Sequence, residues 1–225
     1  MINLKDISSV YLIGIGGIGM SALAQYFYEN GCKVAGSDRM HSYVTAMLED
    51  KGILVHYDED PKHLDFNPDL VIYTPAISEK NLELQYACSN FEFVCKRSEV
   101  LQEIVKDKYC IAVSGTHGKT SITSMIAHIL SYTDQKVNAF VGGFCKNINN
   151  NFDKGSGIAV VEADEYDRSF LKLTPDIAVV NAVEEDHLDI YENLENIIKT
   201  YNQFVENTKP INRLINVKYK KYFDE

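Results

Sequence analysis

The chain predicts an α/β protein of two successive parallel-sheet units, and three observations carry that reading. Short β-rich runs alternate with helix-length segments almost to the end of its 225 residues, the rhythm of parallel strands joined by crossover helices. Two glycine-rich turns, at 14–19 and 115–118, each follow an apolar run and open a helix-length segment, and one small sheet rarely carries two such turns. The composition, 45% hydrophobic and 24% charged, is that of a packed chain and excludes wholesale disorder.

Taken in order, the β-rich runs place strands of the first unit at 10–15, 33–37, 54–57, 70–74 and 91–95, with helices at 17–30, 42–50, 81–89 and 98–106. A new series then begins with strands at 109–114, 136–141, 157–162 and 177–181, and helices at 119–131 and 194–206. The division is placed at Lys106-Asp107-Lys108, giving units 1–106 and 107–225. Asn147 to Asn151 reads as an Asn-rich loop. The tail offers one further possible strand at 214–217 and then a basic, aromatic stretch with no partner. The second unit therefore reads as unfinished, with four strands and no closing half, and the chain as truncated.

Charge narrows the partners. Lys and Arg number 22 against 32 Asp and Glu, a net charge of −10, which repels a nucleic-acid backbone and an anionic membrane surface. Any polyanion must be held by local groups. The first twenty residues lack both a basic start and an unbroken apolar run, so they do not read as a leader peptide. No stretch reaches 18 consecutive apolar residues, and no bilayer span is expected. Cysteines at 32, 88, 95, 110 and 145 form no CxxC pair and no zinc spacing. They read as buried free thiols of a cytoplasmic protein.

Three motifs carry chemistry. Gly14-Ile15-Gly16-Gly17-Ile18-Gly19 fits G-x-G-x-x-G between a strand and a helix, where the backbone can approach a pyrophosphate and helix N–H groups can receive its charge. Asp38 ends the next strand, where an acidic group meets a ribose hydroxyl in dinucleotide sites. This makes the first unit Rossmann-like, without saying which nucleotide binds. Thr74-Pro75-Ala76-Ile77-Ser78 lies at the end of another strand and either lines the same cleft or turns the chain.

The second motif, Ser114-Gly115-Thr116-His117-Gly118-Lys119-Thr120, follows the apolar run 110–113. Its Gly-Lys-Thr end places an ammonium on terminal phosphates and a hydroxyl on Mg²⁺. Val113 stands where the full G-x-x-x-x-G-K-T pattern has glycine, so the loop is a short variant of a P-loop. The third, Glu162-Ala163-Asp164-Glu165, ends an apolar strand and brings carboxylates to the sheet edge beside that loop, as a Mg²⁺-nucleotide site requires. Glu184-Glu185-Asp186-His187-Leu188-Asp189 puts an imidazole at the same edge. His41, His56, His63 and His128 read as surface or packing residues, and Tyr166 and Phe170 as cover for the core.

Four segments, 14–24, 114–125, 162–171 and 184–191, resemble the Mur ligase family in order and spacing, and within it the type that joins L-alanine to UDP-N-acetylmuramate. The resemblance spans residues 8–206. It implies a Rossmann-like UDP-sugar domain followed by part of a P-loop ATPase-type α/β domain, in a family of three domains. Gly14, Gly16, Gly17, Ile18, Gly19, Ser37, Asp38, Thr74 and Ser78 would face the UDP-sugar. Gly115, Thr116, His117, Gly118, Lys119, Thr120 and Ser121 would face ATP. Lys119, Glu162 and His187 would be catalytic, with Thr120 and Glu162 on Mg²⁺ and His187 on a second metal. The implied reaction passes through an acyl phosphate, and residues 1–225 alone would bind ligands without completing it. Three alternatives stand beside this reading: the related ligase that attaches a recycled tripeptide to the same UDP-sugar, a nicotinamide-dependent oxidoreductase, and a nucleotide-binding fragment without turnover.

Overall fold

The computed structural model describes residues 2–223 apart from 134, 147 and 149, and the Asp167 side chain is outside the description. The chain divides into two compact units, Met1–Glu103 and Ile104–Glu225.

In the first unit the strands are β1 (Ser9–Ile13), β2 (Lys33–Ser37), β3 (Leu54–His56), β4 (Leu70–Tyr73) and β5 (Val94–Lys96). Helices α1 (Ile18–Glu29), α2 (Tyr43–Asp50), α3 (Leu82–Asn90) and α4 (Arg97–Val105) alternate with them. All strand pairs are parallel and the order is β3-β2-β1-β4-β5. The chain direction across the sheet thus reverses between β1 and β4, and a crevice at the C-terminal ends of those two strands is where such sheets take ligands. Tyr11, Ile13, Ala35 and Val71 of the strands pack on Leu84 and Ala87 of α3. This burial holds the α3 side of the crevice against the sheet.

The second unit carries β6 (Tyr109–Ser114), β7 (Val137–Cys145), β8 (Asn150–Asp153), β9 (Ile158–Glu162), β10 (Ile177–Val180) and β11 (Arg213–Ile215). Its helices are α5 (Lys119–Ser131), α6 (Leu188–Tyr191) and α7 (Leu194–Glu206). The order is β11-β10-β6-β9-β7-β8, parallel except for the β7–β8 pair. β6 lies between β9 and β10, so the loops leaving all three meet at one edge. Register sharpens this, because Val113 pairs with Glu162 and Ser114 with Val180.

Four expectations need correction. The second sheet has six strands among the described residues, not four. The Asn-rich stretch feeds β8, where Asn151 and Phe152 are buried and Phe152 meets Phe140 at 5.2 Å between ring centroids. The basic, aromatic tail does have partners: after β11, Tyr219 is buried, Lys218 pairs with Glu184 at 3.0 Å, and Asn202 donates to the Tyr222 carbonyl at 2.9 Å. The cysteines are free, but only Cys110 is buried, while Cys88 is exposed. His56 and His63 stack at 3.6 Å and His41 stacks on Tyr57 at 3.5 Å, so these histidines pack as read.

Asp69 fixes the entrance of β1 beside β4. Its Oδ2 accepts from the Ser8 and Ser9 amides, both at 2.9 Å, and from both hydroxyls, at 2.7 and 2.9 Å. These donors hold the Asp69 carboxyl below its ordinary value. A depressed carboxylate stabilises the fold above its unfolded pKa, and that contribution is lost as pH falls through the folded value. Asp69→Asn should therefore lower stability at pH 7 by about 0.5 kcal/mol after allowance for solvent screening. The gap from wild type should narrow as urea midpoints are measured toward pH 3, and a gap independent of pH would contradict this account.

Candidate functional site

In the first unit, the turn after β1 is folded back on β2. The Gly14 and Ile15 amides donate to the Ser37 carbonyl at 2.8 and 2.9 Å, and the Gly17 amide donates to the Gly14 carbonyl at 3.1 Å. Gly17 caps α1 without a side-chain hydrogen bond, and Ile18 begins the helix. The helix thus opens on the crevice with the polarity that favours an anion.

The glycines are also required by the protein's own packing. A Cβ on Gly16 would stand 2.8 Å from both the Asp38 carboxylate and Thr45, and one on Gly19 would stand 2.6 Å from the Arg97 guanidinium. Asp38 is engaged here, accepting from the Gly16 amide at 2.9 Å. Thr74 and Ile77 lie 3.3 and 3.2 Å from where a Gly14 Cβ would be, which puts the loop after β4 against the glycine turn. The exposed Ser78 hydroxyl accepts from the Lys80 amide, and the Ser37 hydroxyl donates to Glu83. Arg97, which the motif reading passed over, opens α4 at the end of β5 and brings a cation to the start of α1. The only sequence signal was a basic residue just past a strand's C-terminal end.

In the second unit, the turn between β6 and α5 is clasped from behind by the segment leaving β10. The Thr116 amide donates to the Ala182 carbonyl, and the Asn181 side chain donates to the His117 carbonyl, each at 2.9 Å. Gly115 and Gly118 adopt φ of +135° and +84°, conformations that L side chains rarely take. A Cβ at either would also strike Ala182 or Asn181, at 2.8 and 2.6 Å. His117 is exposed, 3.7 Å from Glu184, and Ser121 is exposed on the first turn of α5.

Lys119 sits where this turn becomes α5. Its Nζ donates to the Gly115 carbonyl at 2.9 Å and to both Glu165 oxygens at 2.7 and 2.8 Å. The side chains are 15% and 2% exposed, so the pair is removed from water. Burial pushes the Glu165 carboxyl up, and the Lys119 ammonium opposes that shift. The Thr120 hydroxyl donates to Glu162 Oε1 at 3.0 Å, and the Gly142 amide to Oε2 at 2.6 Å. Gly142 leaves room for that carboxylate, because a Cβ there would stand 2.5 Å from it.

Of the three residues read as metal ligands, the structure joins Thr120 to Glu162. It places His187 with Glu165 and Asp186, each 3.8 Å from its Nε2. One ligand atom from each of these three lies within 4.8 Å of the others, a spacing that can hold a divalent cation. Tyr166 lies edge-on to His187, with centroids 5.4 Å apart, and the buried Tyr191 hydroxyl donates to the Glu165 carbonyl at 2.5 Å. Glu165, Asn181 and Gly142 are the participants that motif reading missed. Glu165 stood in the acidic segment already noted, and the Gly-Gly step in β7 was a sign of close approach.

These loops have counterparts. Residues 9–109 match the Mur ligase family, catalytic domain, and residues 113–225 match the Mur ligase middle domain. The chain belongs to the Mur ligase family. It is 45% identical over 218 residues to the UDP-N-acetylmuramate--L-alanine ligase of Cytophaga hutchinsonii, covering 92% of this chain and 47% of that one. The Christiangramia forsetii ligase of the same name is 44% identical over 212 residues, covering 91% and 47%. The solved UDP-N-acetylmuramate-alanine ligase of Thermotoga maritima superposes with a TM-score of 0.82 at 33% identity, over 89% of this chain and 47% of that one. The Neisseria meningitides UDP-N-acetylmuramate:L-alanyl-gamma-D-glutamyl-meso-diaminopimelate ligase gives 0.85 at 28%, over 94% and 72%. This chain thus spans about half the length of the curated relatives it matches. Among the described residues no helix is long and apolar enough to cross a membrane.

The Lys119–Glu165 pair makes a ligand-free prediction. Lys119→Met should destabilise the second unit by about 3–5 kcal/mol, because it strands a buried carboxylate. Adding Glu165→Gln should return part of that loss, a coupling of about 1–3 kcal/mol in urea denaturation. Strict additivity would show that the pair is not the anchor described.

Proposed function

We propose that the full protein is an ATP-dependent ligase that joins L-alanine to the carboxylate of UDP-N-acetylmuramate in the cytoplasm, and that these two units supply its UDP-sugar and ATP-Mg²⁺ sites. The observation that carries the reading is the Gly-Lys-Thr turn itself. Its ammonium, its hydroxyl and the carboxylate of Glu162 are assembled at one sheet edge. The identity to ligases of that name supports the substrate.

In the first unit, the turn from Gly14 to Gly19 would take the pyrophosphate at the start of α1, with Arg97 beside it. Ser37, Asp38, Thr74 and Ser78 would frame the rest of the UDP-sugar. In the second unit, the loop from Gly115 to Ser121 would hold the ATP phosphates. The Thr120 hydroxyl and Glu162 carboxylate are hard oxygen donors suited to magnesium, and Glu165, Asp186 and His187 would hold a second divalent ion. Bound magnesium supplies neutralisation of charge on the phosphate oxygens.

The chemistry brings two anions together. A carboxylate oxygen of the sugar acid attacks the γ-phosphorus, the bond to the β-phosphate oxygen breaks, and ADP leaves. Lys119, released from Glu165, would follow the charge that develops on the transferring phosphoryl group. The amine of L-alanine then attacks the acyl carbon, phosphate leaves, and the amine gives up a proton. No side-chain nucleophile is needed, which leaves the cysteines without a catalytic role. The tripeptide-adding ligase is the second reading, supported by the superposition on the Neisseria meningitides enzyme.

By calorimetry, Thr120→Ala should weaken ATP binding about tenfold in the presence of Mg²⁺ and leave Mg²⁺-free binding unchanged. UDP-N-acetylmuramate, and not NADH, should raise the melting temperature of the first unit. Equal Mg²⁺-dependent affinities, or stabilisation by NADH alone, would refute the respective assignment.

A further inference from the structure

Glu83 is a fully buried carboxylate that the proposed chemistry does not use. It comes from the first turn of α3 and meets two hydroxyls from different strands. Tyr11 of β1 donates to Oε1 at 2.7 Å, and Ser37 at the end of β2 donates to Oε2. Its partners are hydroxyls rather than a lysine or arginine. Burial pushes the carboxyl up, and the two hydroxyls and the nearby His63 pull it back.

The placement of Ser37 gives this cluster its consequence. The Ser37 carbonyl is the acceptor for both Gly14 and Ile15, the two amides that turn the chain after β1. The residue whose backbone anchors the glycine turn is thus held through its side chain by Glu83. The same helix follows the loop after β4, whose Thr74 and Ile77 lie against Gly14. One buried carboxylate therefore ties the middle of β1 and the end of β2 to the helix that follows the loop after β4.

We propose that Glu83 is a positioning residue: through the Ser37 hydroxyl it sets the glycine turn at 14–17 in the conformation that receives the diphosphate of the substrate. Buried beneath the turn, it acts without touching the ligand. An ordinary core role would predict a loss of stability spread over the sheet. A positioning role predicts a loosening confined to the turn. Its ligand-binding consequence rests on the UDP-sugar reading given above, whereas the effect on the turn does not.

The experiment uses the 225-residue chain. Amide exchange is followed by NMR in wild type, Ser37→Ala, Glu83→Leu and Glu83→Gln, well below each melting temperature. In Ser37→Ala and Glu83→Leu, exchange at Gly14 and Ile15 should quicken about tenfold or more, while the amides of β1 and β4 stay as in wild type. Glu83→Gln can still accept from one hydroxyl and donate to the other, so it should restore protection. Unchanged exchange, or an equal change across the sheet, overturns the proposal.

Calorimetry with UDP-N-acetylmuramate forms the second arm. The affinity should fall about tenfold in Glu83→Leu and recover in Glu83→Gln, with ATP affinity constant throughout. A loosened turn with unchanged UDP-N-acetylmuramate affinity also overturns the proposal. Failure of the wild type to bind this ligand refutes the UDP-sugar reading instead, and the exchange data alone then decide whether Glu83 sets the turn.

Discussion

The second unit's site depends on a partly buried ammonium held by a buried carboxylate. Lys119 and Glu165 come from loops that leave β6 and β9, 46 residues apart, and each would be costly in the protein interior without the other. The pair fixes the first turn of α5 to the acidic segment after β9. Glu165 is held in turn by the Tyr191 hydroxyl on its carbonyl and lies beside His187. On the proposed reading, a phosphate entering this turn would compete with Glu165 for the ammonium. A divalent cation held by Asp186 and His187 would give the displaced carboxylate a new partner. Ammonium and carboxylate would then exchange partners without either being stranded.

On a chain of net charge −10, the polyanions of the proposed function would have to be held by backbone geometry. Both glycine turns present helix starts and pin their own carbonyls elsewhere: Gly14 on Gly17, and His117 on Asn181. The space freed by missing Cβ atoms is largely filled by the protein itself. Asp38 and Thr45 fill it at Gly16, Arg97 at Gly19, and Glu162 at Gly142. The glycine signature therefore records internal close approach as much as room for a ligand.

Much of this was legible because the relevant signals are local. Apolar runs such as 110–113 and 158–161, followed by glycine or acidic turns, mark parallel strands and their C-terminal edges without reference to distant residues. What escaped depends on pairing across the sheet. β8 is polar and Asn-rich, yet it pairs antiparallel with β7, and Asn151 and Phe152 are buried there. β11, at 213–215, overlaps the possible strand read at 214–217, and its register with β10 gives it the partner the sequence did not show. Glu165 was legible as part of the acidic edge but not as the partner of Lys119, and Glu83 carried no signal; their contacts are with residues 46 and 72 positions away.

The most direct test of the account is a crystal structure of the chain with Mg²⁺ and a non-hydrolysable ATP analogue. The account predicts phosphates in the turn after β6, Lys119 Nζ moved from Glu165 to the β- and γ-phosphate oxygens, and a metal on Thr120 and Glu162. An analogue bound elsewhere, or Lys119 still paired with Glu165 while the turn is occupied, would contradict it.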